Sequence, residues 1–465
     1  MKQSRRQFIK TSLAGCVAVA GFPTIVPSRV FGADAPSNRL RVAQIGCGRI
    51  GHSMDMPGVI GTGLADYVAV CDFDSRRAAH AKEFIESKAG KKGPAPKIDV
   101  YGDYREVLAR KDIDAVVIST PDHQHAEPAA AAALAGKDLW LQKPLAMAIA
   151  ESRACCDTVM KAGRILQVGS QQRSSAQFRQ ACEYVRSGRI GKVTRVEIGL
   201  PKDETKPDEP EQPVPANLNY DGWLGCTPMA YYCEQRVHPQ QMVKGKLDVS
   251  SRPGWLRNED HTLGMITGWG SHHFDILHWG LGIVEGGPEK VEGEAEFPTN
   301  KIWNVHLGYH LQYTYPGGVI VDVTERHPNG IRFIGSEGWI FVSRGAEKAT
   351  ASDPTSPGRA LKALDASDPK LIAGEASVKL YVSKNHHANW LECVRSRKEP
   401  ITPVNNGHHV FAACSVGWIA MKLKRPLTWD AKAEQFAGDE AANAMLRRPE
   451  RPGHGIFNLL AKQKA

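Results

Sequence analysis

The stretch that decides the fold is Leu40-Arg-Val-Ala-Gln-Ile45, an apolar segment that runs directly into Gly46-Cys47-Gly48-Arg49-Ile50-Gly51. Its first six residues alternate and are apolar enough for a buried strand. A Gly-x-Gly-x-x-Gly sequence becomes informative when it follows a strand and opens a helix. A second predicted strand, Tyr67 to Val70, ends at Cys71-Asp72, which completes the pattern of a dinucleotide-binding β-α-β unit.

The glycines and the acidic residue of such a unit have separate physical roles. Gly46 allows a tight turn, Gly48 lets the backbone approach a pyrophosphate, and Gly51 lets the helix pack close to the strand. The helix N-terminus supplies free N–H groups to the phosphates. Asp72 stands where a carboxylate accepts hydrogen bonds from the adenosine ribose, which favours NAD because a 2′-phosphate would meet a like charge. The following pair Arg76-Arg77 keeps NADP as the alternative.

Strands and helices continue to alternate beyond this unit. The pattern predicts helices over 76–88, 104–109 and 127–135, and strands over 98–101, 114–119 and 138–141. This alternation indicates an α/β domain with a doubly wound parallel sheet, whose ligands bind beyond the carboxyl ends of the strands. Two loops, Thr120-Pro121-Asp122-His123-Gln124-His125 and Gln142-Lys143-Pro144, lie at that edge together with the glycine loop.

Length and composition set further limits. The 465 residues are too many for one ordinary core and suffice for two domains. The net charge of +9 is scattered among acidic residues, so no nucleic-acid site is indicated. No stretch reaches the roughly 18 apolar residues of a spanning helix, so insertion into a membrane is not expected once a signal is removed.

The N-terminus carries the features of an export signal. Ser4-Arg5-Arg6-Gln7-Phe8-Ile9-Lys10 precedes an apolar run from Leu13 to Val26, and Ala33-Asp34-Ala35 offers a cleavage site. These features resemble a twin-arginine signal over residues 1–35, which predicts a periplasmic location. The twin-arginine route carries folded proteins, so we expect buried free thiols rather than disulfides, with a Cys226–Cys233 pair as the alternative.

Several motifs together resemble those of the Gfo/Idh/MocA oxidoreductases. They are the signal, the glycine loop, Thr120-Pro121, Lys143-Pro144, Gln167-Val-Gly-Ser-Gln-Gln-Arg173, Gly270-Ser-His272-His273-Phe-Asp275 and the C-terminal Arg447-Arg-Pro-Glu-Arg-Pro452. The resemblance implies a Rossmann domain over 36–165 and an α+β domain over 166–465, with C-terminal segments returning toward the first domain. The second domain would carry a large, open, mostly antiparallel sheet that serves as a homo-oligomer interface.

The chain departs from the family pattern at two positions. The usual Glu-Lys-Pro is Gln142-Lys143-Pro144 here, so the lysine stays and its neighbouring carboxylate is absent. Many members carry Asp-x-x-x-His, and the matching residues here are Gly268 and His272. His272 therefore lacks the usual carboxylate that would orient its imidazole.

The predicted catalytic residues are Lys143 and His272. A lysine at the cofactor edge binds a reacting hydroxyl and stabilises the developing alkoxide, and a histidine can take the hydroxyl proton. The predicted cofactor-binding residues are Gly46, Gly48, Arg49, Ile50, Gly51, Asp72, Thr120, Pro121, His125, Gln142 and Lys143. Aromatic and basic side chains suit a carbohydrate, and the predicted substrate-binding residues are Arg173, Trp223, Tyr232, Arg236, His238, Trp269 and His273.

The histidine-rich stretch 269–278 raises the question of a metal site. His272 and Asp275 share a helical stripe whereas His273 does not. A metal needs three or more convergent ligands, which one helix does not supply. We therefore predict no metal.

Three functions fit these observations. The first is an NAD-dependent oxidoreductase that transfers a hydride at a ring hydroxyl of a sugar, a sugar derivative or a cyclitol. The second is a redox-neutral glycoside hydrolase or lyase, which keeps NAD bound and returns it to its starting state by transient ring oxidation, elimination, water addition and re-reduction. The third is a non-catalytic sugar-binding protein.

Overall fold

The computed structural model describes residues 39–89, 97–345 and 360–463 of the chain. The signal predicted for residues 1–35, which contains Cys16, lies outside these described residues. Within the described part, no helix is both long and apolar enough to cross a bilayer.

Six parallel strands form the first sheet, in the spatial order β3-β2-β1-β4-β5-β6. The strands are β1 Leu40–Ile45, β2 Ala65–Cys71, β3 Asp99–Tyr101, β4 Ala115–Ile118, β5 Asp138–Leu141 and β6 Leu166–Val168. This order defines a doubly wound dinucleotide-binding sheet, so the predicted fold of the first domain is confirmed. The predicted boundary at residue 165 needs a correction, because β6 follows it and pairs with β5.

Helices cover both faces of this sheet. They are α1 Met56–Thr62, α2 Ser75–Ala89, α3 Tyr104–Ala109, α4 Ala126–Leu134 and α5 Ile149–Lys161, with a π-helical turn over Gly51–Asp55 ahead of α1. Two helices from the C-terminal part, α10 His386–Ser396 and α13 Ile456–Lys462, also pack against this domain. Trp390 of α10, for example, contacts Trp140 of β5 in the apolar core.

Nine strands form the second sheet, in the order β15-β14-β13-β7-β12-β11-β10-β16-β17. Its strands are β7 Val193–Gly199, β10 Lys290–Ala295, β11 Tyr309–Tyr315, β12 Val319–Thr324, β13 Gly330–Gly335, β14 Gly338–Val342, β15 Leu364–Ala366, β16 Leu427–Asp430 and β17 Gln435–Phe436. The pair β7–β12 is parallel, and the other neighbouring pairs are antiparallel. The predicted large, mostly antiparallel sheet is confirmed.

One face of this second sheet is covered by helices, and the other is open. The covering helices are α6 Ala176–Arg186, α9 Gly270–Leu281 and α11 Val404–Leu423. Helix α11 comes close to the sheet at Gly417, where a Cβ would lie 1.9 Å from the hydroxyl of Tyr313. On the open face, Asp322 accepts hydrogen bonds from Arg195, His310 and His327.

A long excursion from the second domain crosses to the first. We call residues 217–257 the cover segment; it contains α7 Tyr220–Leu224 and the short hairpin of β8 Met242–Val243 and β9 Lys246–Leu247. The chain then forms α8 Met265–Gly268, and α12 Glu440–Ala444 lies near the C-terminus. Backbone hydrogen bonds from Ser75 to Asn217 and from Asn219 to Phe73 hold the start of the cover segment against the end of β2.

All nine cysteines from Cys47 to Cys414 are buried and free. Cys226 and Cys233 therefore do not pair. Cys226 instead lies 3.1 Å from the guanidinium of Arg448, a buried contact that links the C-terminal Arg447–Pro452 motif to the cover segment.

Candidate active site

A cleft with about 1370 Å³ of empty volume lies between the carboxyl edge of the first sheet and the second domain. The first domain lines it with Gly46, Gly48, Arg49, Ile50, Asp72, Thr120, Pro121, Asp122, Gln142 and Lys143. The second domain contributes Asp203, Trp223, His238, Arg252, Arg257, Thr262, Gly268 and Trp269. Both predicted strand-end loops thus meet the glycine loop in one cavity.

The glycine loop leaves bare backbone facing this cleft. Gly46 has a φ of +84°, and a Cβ there would lie 2.7 Å from the carbonyl of Ser119, so only glycine fits. A Cβ on Gly51 would come within 3.0 Å of the Gly46 oxygen, whereas one on Gly48 would meet no heavy atom within 4 Å. The Gly48 backbone is therefore open to a phosphate, and the loop fits the predicted dinucleotide.

Asp72 presents a partly buried carboxylate at the end of β2. Its two oxygens accept hydrogen bonds from the backbone N–H groups of Cys47 at 2.7 Å and Asp74 at 2.9 Å. Burial, with the nearby charge of Asp74, raises the pKa of Asp72 to about 6. Arg77 is one of the two arginines for which NADP remained the alternative cofactor. Its guanidinium donates to the backbone oxygens of Pro239 and Asp248.

His125 joins the two strand-end loops. Its Nδ1 lies 2.5 Å from the carbonyl oxygen of Pro144, and its Nε2 lies 3.0 Å from that of Thr120. Burial lowers the pKa of His125 to about 4, so the ring is neutral at pH 7 and donates from one nitrogen at a time. His125 does not line the cleft itself. Its contacts hold together the two strand-end loops, which do line the cleft.

Lys143 extends from the end of β5 to the second domain. Its Nζ donates to the backbone oxygen of Gly268 at 2.6 Å. Burial lowers the pKa of Lys143 to about 8, and the attraction of Asp122 opposes this shift. Burial also raises the pKa of Asp122 to about 7, while Thr262 donates to its carboxylate at 2.7 Å. The cleft therefore holds an amine and a carboxyl that both change charge near neutral pH.

Sequence reasoning assigned no role to Asp122, although it directly follows Thr120-Pro121 at the strand end. Its position at the carboxyl end of a buried strand could have identified Asp122 as a site residue. Asp55, whose buried carboxylate contacts Gln142, had no such signal, because it lies in an irregular helical turn.

His272 is buried in α9 and is absent from the cleft lining. Its ring packs edge-on against Trp269 at 5.1 Å, and its Nδ1 has no hydrogen-bond partner among the described residues. Burial, helped by the positive charges of Arg344 and Lys143, holds the pKa of His272 well below its usual range. A Cβ on Gly268, one turn earlier, would have open space around it.

The residues predicted to bind substrate separate into two groups. Trp223, His238 and Trp269 line the cleft, whereas Arg173, Tyr232, Arg236 and His273 do not. Each member of the second group has another partner: Arg173 pairs with Asp275 at 2.7 Å, Tyr232 packs on Tyr220, Arg236 lies 3.5 Å from Asp260, and His273 contacts Asn329 at 2.9 Å.

The histidine-rich helix α9 spreads its polar groups over different partners. Asp275 is held by Arg173 and Asn406, while His278 contacts the hydroxyl of Tyr315. Elsewhere among the described residues, His408, His409 and Glu434 have a spacing that could hold a metal ion. Glu434 is paired with both Arg153 and His408, and His408 also contacts Ser152.

The six-stranded parallel sheet, the glycine loop and this cleft define a two-domain protein with a dinucleotide-binding fold. A family model described as an oxidoreductase family with an NAD-binding Rossmann fold matches residues 40–170, and one described as the C-terminal alpha/beta domain of an oxidoreductase family matches residues 202–456. The chain belongs to the Gfo/Idh/MocA family. NAD as the cofactor agrees with this membership.

Curated relatives match part of the chain. Inositol 2-dehydrogenase of Salmonella typhimurium is 29% identical over 227 residues, which cover 48% of this chain and 56% of that protein. The scyllo-inositol 2-dehydrogenase (NAD(+)) of Bacillus subtilis is 29% identical over 170 residues, covering 37% and 46%. The chain thus spans about half the length of the curated relatives that it matches.

Solved structures share the fold over most of the described chain. The WlbA dehydrogenase from Bordetella pertussis, in complex with NADH and UDP-GlcNAcA, has a TM-score of 0.57 at 17% identity, covering 84% of this chain and 99% of that one. The aldose-aldose oxidoreductase from Caulobacter crescentus, complexed with glycerol, gives the same values. At 17% sequence identity, the similarity to these structures shows a shared fold and nothing further.

Proposed function

We propose that the protein is an NAD-dependent oxidoreductase that transfers a hydride at a ring hydroxyl of a sugar, a sugar derivative or a cyclitol. The observation that carries the proposal is the Lys143 amine, which lies in the cleft between the glycine loop and the second domain with a pKa lowered to about 8. The inositol dehydrogenases among its relatives support this class of substrate.

The cleft residues fit NAD. The open backbone at Gly48 would hold the pyrophosphate, and the Asp72 carboxylate would accept hydrogen bonds from the adenosine ribose. When bound, the nicotinamide accepts a hydride from a carbinol carbon or returns it.

The residues of the chain would handle the proton. Uncharged Lys143 takes the proton of the substrate hydroxyl, and the resulting ammonium stabilises the alkoxide character that develops on that oxygen. The Gly268 carbonyl orients the amine. Asp122, its electrostatic partner, favours the charged form of the amine and so stabilises the protonated product.

The test uses the purified mature protein with added NAD and a panel of sugars, sugar acids and cyclitols. NADH formation with one member of the panel, lost in Lys143→Met while NAD still binds, supports the proposal. NAD and sugar binding without any redox response would overturn it in favour of a non-catalytic sugar-binding protein.

A second candidate is the redox-neutral hydrolase or lyase that keeps its NAD bound. The cover segment favours it, because Asn217, His238 and Gln240 all donate to the buried carboxylate of Asp74 beside the Asp72 site. Although burial acts in the opposite direction, these hydrogen bonds hold the pKa of Asp74 well below its usual range. NAD that survives purification, with glycoside cleavage and no net NADH, would decide for this candidate.

We also propose export by the twin-arginine route to the periplasm, on the strength of the Arg5-Arg6 motif. Replacing both arginines with lysine should leave a tagged protein in the cytoplasm.

The open face of the second sheet, where Arg332 lies 5.0 Å from the ring centre of Trp339, is proposed as a homo-oligomer interface. Sedimentation of Trp339→Glu against the parent tests that interface.

A further inference from the structure

Three arginines from two domains line the cleft. Arg49 follows Gly48 of the glycine loop, and Arg252 and Arg257 lie at the end of the cover segment. Burial and the charge of Arg257 lower the pKa of Arg49 to about 10, and burial with the charges of Arg257 and Arg49 lowers that of Arg252 to about 10. These side chains therefore repel one another in a partly desolvated place.

The acidic groups nearby offset only part of the charge of this cluster, since Asp203 pairs with Arg257, and Asp203 and Glu204 attract Arg252. Arg257 is 6% exposed and lies 3.1 Å from Oδ1 of Asp203, without hydrogen-bond geometry. The second oxygen of Asp203 accepts from the backbone N–H of Met265. Among the described residues, the Nε atoms of both Arg252 and Arg257 are buried without a hydrogen-bond partner.

The cluster also lines the same cleft as Lys143. The charges of Arg344, Arg49 and Arg252 all act on Lys143 and help to lower its pKa. Guanidinium groups present planar pairs of donors that match a carboxylate or a phosphate, and a neutral hydroxyl would not offset their charge. We propose that Arg252 and Arg257 form an oxyanion subsite beside Lys143, and that the substrate carries a carboxylate or phosphate group bound there.

This inference rests on the proposed function for the identity of the reacting site. The same oxyanion chemistry has a second source, the pyrophosphate of NAD, which Arg49 is well placed to contact through its position after Gly48. Arg252 and Arg257 come from the opposite wall, so their removal separates the two sources.

The experiment compares hexuronates and hexose phosphates with their parent hexoses by calorimetric titration into NAD-loaded protein. We expect at least one anionic sugar to bind tenfold or more tightly than its parent hexose, and Arg252→Gln to remove that preference while the Kd of NAD changes less than twofold. Arg252→Lys, which keeps the charge but loses the planar fork, should restore part of the preference. Arg425→Gln, at an exposed pair with Asp439, is the matched control and should change neither Kd.

The outcomes separate this inference from the proposed function. A large loss of NAD affinity in Arg252→Gln would overturn the substrate assignment and place the cluster at the pyrophosphate. Equal binding of anionic and neutral sugars would also overturn it, even if a neutral sugar is oxidised. Arginine-dependent binding of an anionic sugar without any hydride transfer would keep the subsite and reject the proposed function. A higher Tm of unliganded Arg252→Gln would show independently that the arginines repel one another.

Discussion

The side-chain amide of Gln142 donates to both carboxylate oxygens of Asp55, at 2.9 and 3.0 Å. The hydroxyl of Ser119 donates to the same group at 2.6 Å, and Nε2 of His387 lies 3.2 Å from it. Asp55 is completely buried at the end of the π-helical turn that follows the glycine loop. A glutamate at position 142, as in the usual Glu-Lys-Pro, would set two carboxylates against each other, so the amide is the matching partner here.

Gln142→Glu should therefore lower the free energy of unfolding by about 1–3 kcal/mol, because a buried donor is lost and a like charge is introduced. Urea denaturation measures this loss. The double variant Gln142→Glu with Asp55→Asn reverses donor and acceptor and should recover most of it. A single variant as stable as the parent would contradict this account of the departure from Glu-Lys-Pro.

Asp72 should make NAD binding depend on pH. Its carboxylate accepts ribose hydrogen bonds most strongly when ionised, and its pKa is raised to about 6 by burial. The Kd of NAD should thus be constant above pH 7 and rise below about pH 6, by at most tenfold per pH unit. Calorimetric titrations between pH 5 and 8 test this. Asp72→Asn should bind weakly with little pH dependence, and Asp72→Ala should also discriminate less against NADP.

Lys143 should set the pH dependence of turnover. Oxidation of a hydroxyl needs the uncharged amine, so kcat/KM should rise with pH and level off above about 8, where the Lys143 pKa lies. Lys143→Met should lower the rate roughly 10²–10⁴-fold and abolish this rise of kcat/KM with pH, whereas NAD should still bind. Stopped-flow or steady-state rates across pH 6–10 give the measurement.

The sequence-based hypothesis that His272 shares the reacting hydroxyl with Lys143 predicts that His272→Ala also costs roughly 10²–10⁴ in rate. The burial of His272 outside the cleft lining and its strongly lowered pKa argue against this hypothesis. Near-normal turnover of His272→Ala, with unchanged NAD binding, would reject His272 as the base and leave the acid–base role to Lys143 and Asp122.

Gly268→Asp should shift the rise of kcat/KM with pH to higher pH. The Gly268 carbonyl already accepts from Lys143, and a Cβ there has open space, so a new carboxylate would stabilise the ammonium form and raise the Lys143 pKa. Gly268→Asn supplies a side chain of the same shape without charge, and its kcat/KM should still level off near pH 8. Identical profiles for the two variants would contradict the effect of charge.

Asp74→Ala should loosen the cover segment. Three side chains, Asn217, His238 and Gln240, lose their buried acceptor, which should cost about 1–3 kcal/mol of stability and speed the release of NAD. The off-rate of NAD, followed by displacement with an analogue, is the readout. An exposed acidic residue, Asp157, offers the control: Asp157→Ala should leave the off-rate unchanged.

The sequence by itself determined the parts whose signals are local. A strand of alternating apolar residues, glycines where backbone must turn or approach a ligand, and short buried strands in series are set by neighbours in the chain. The first five strands of the Rossmann sheet, its glycine loop, Asp72 and the two strand-end loops therefore followed from residues 40–144 alone.

Only the tertiary structure decided which side chains meet. Asp55 and Gln142 are 87 positions apart, and Arg49 and Arg252 come from different domains. Their contacts depend on a π-helical turn and on the path of the cover segment, neither of which has a periodic signature in the sequence. The charge states of Lys143, Asp122 and His272 likewise follow from burial, because desolvation is a property of the packed molecule and not of the residue or its neighbours along the chain.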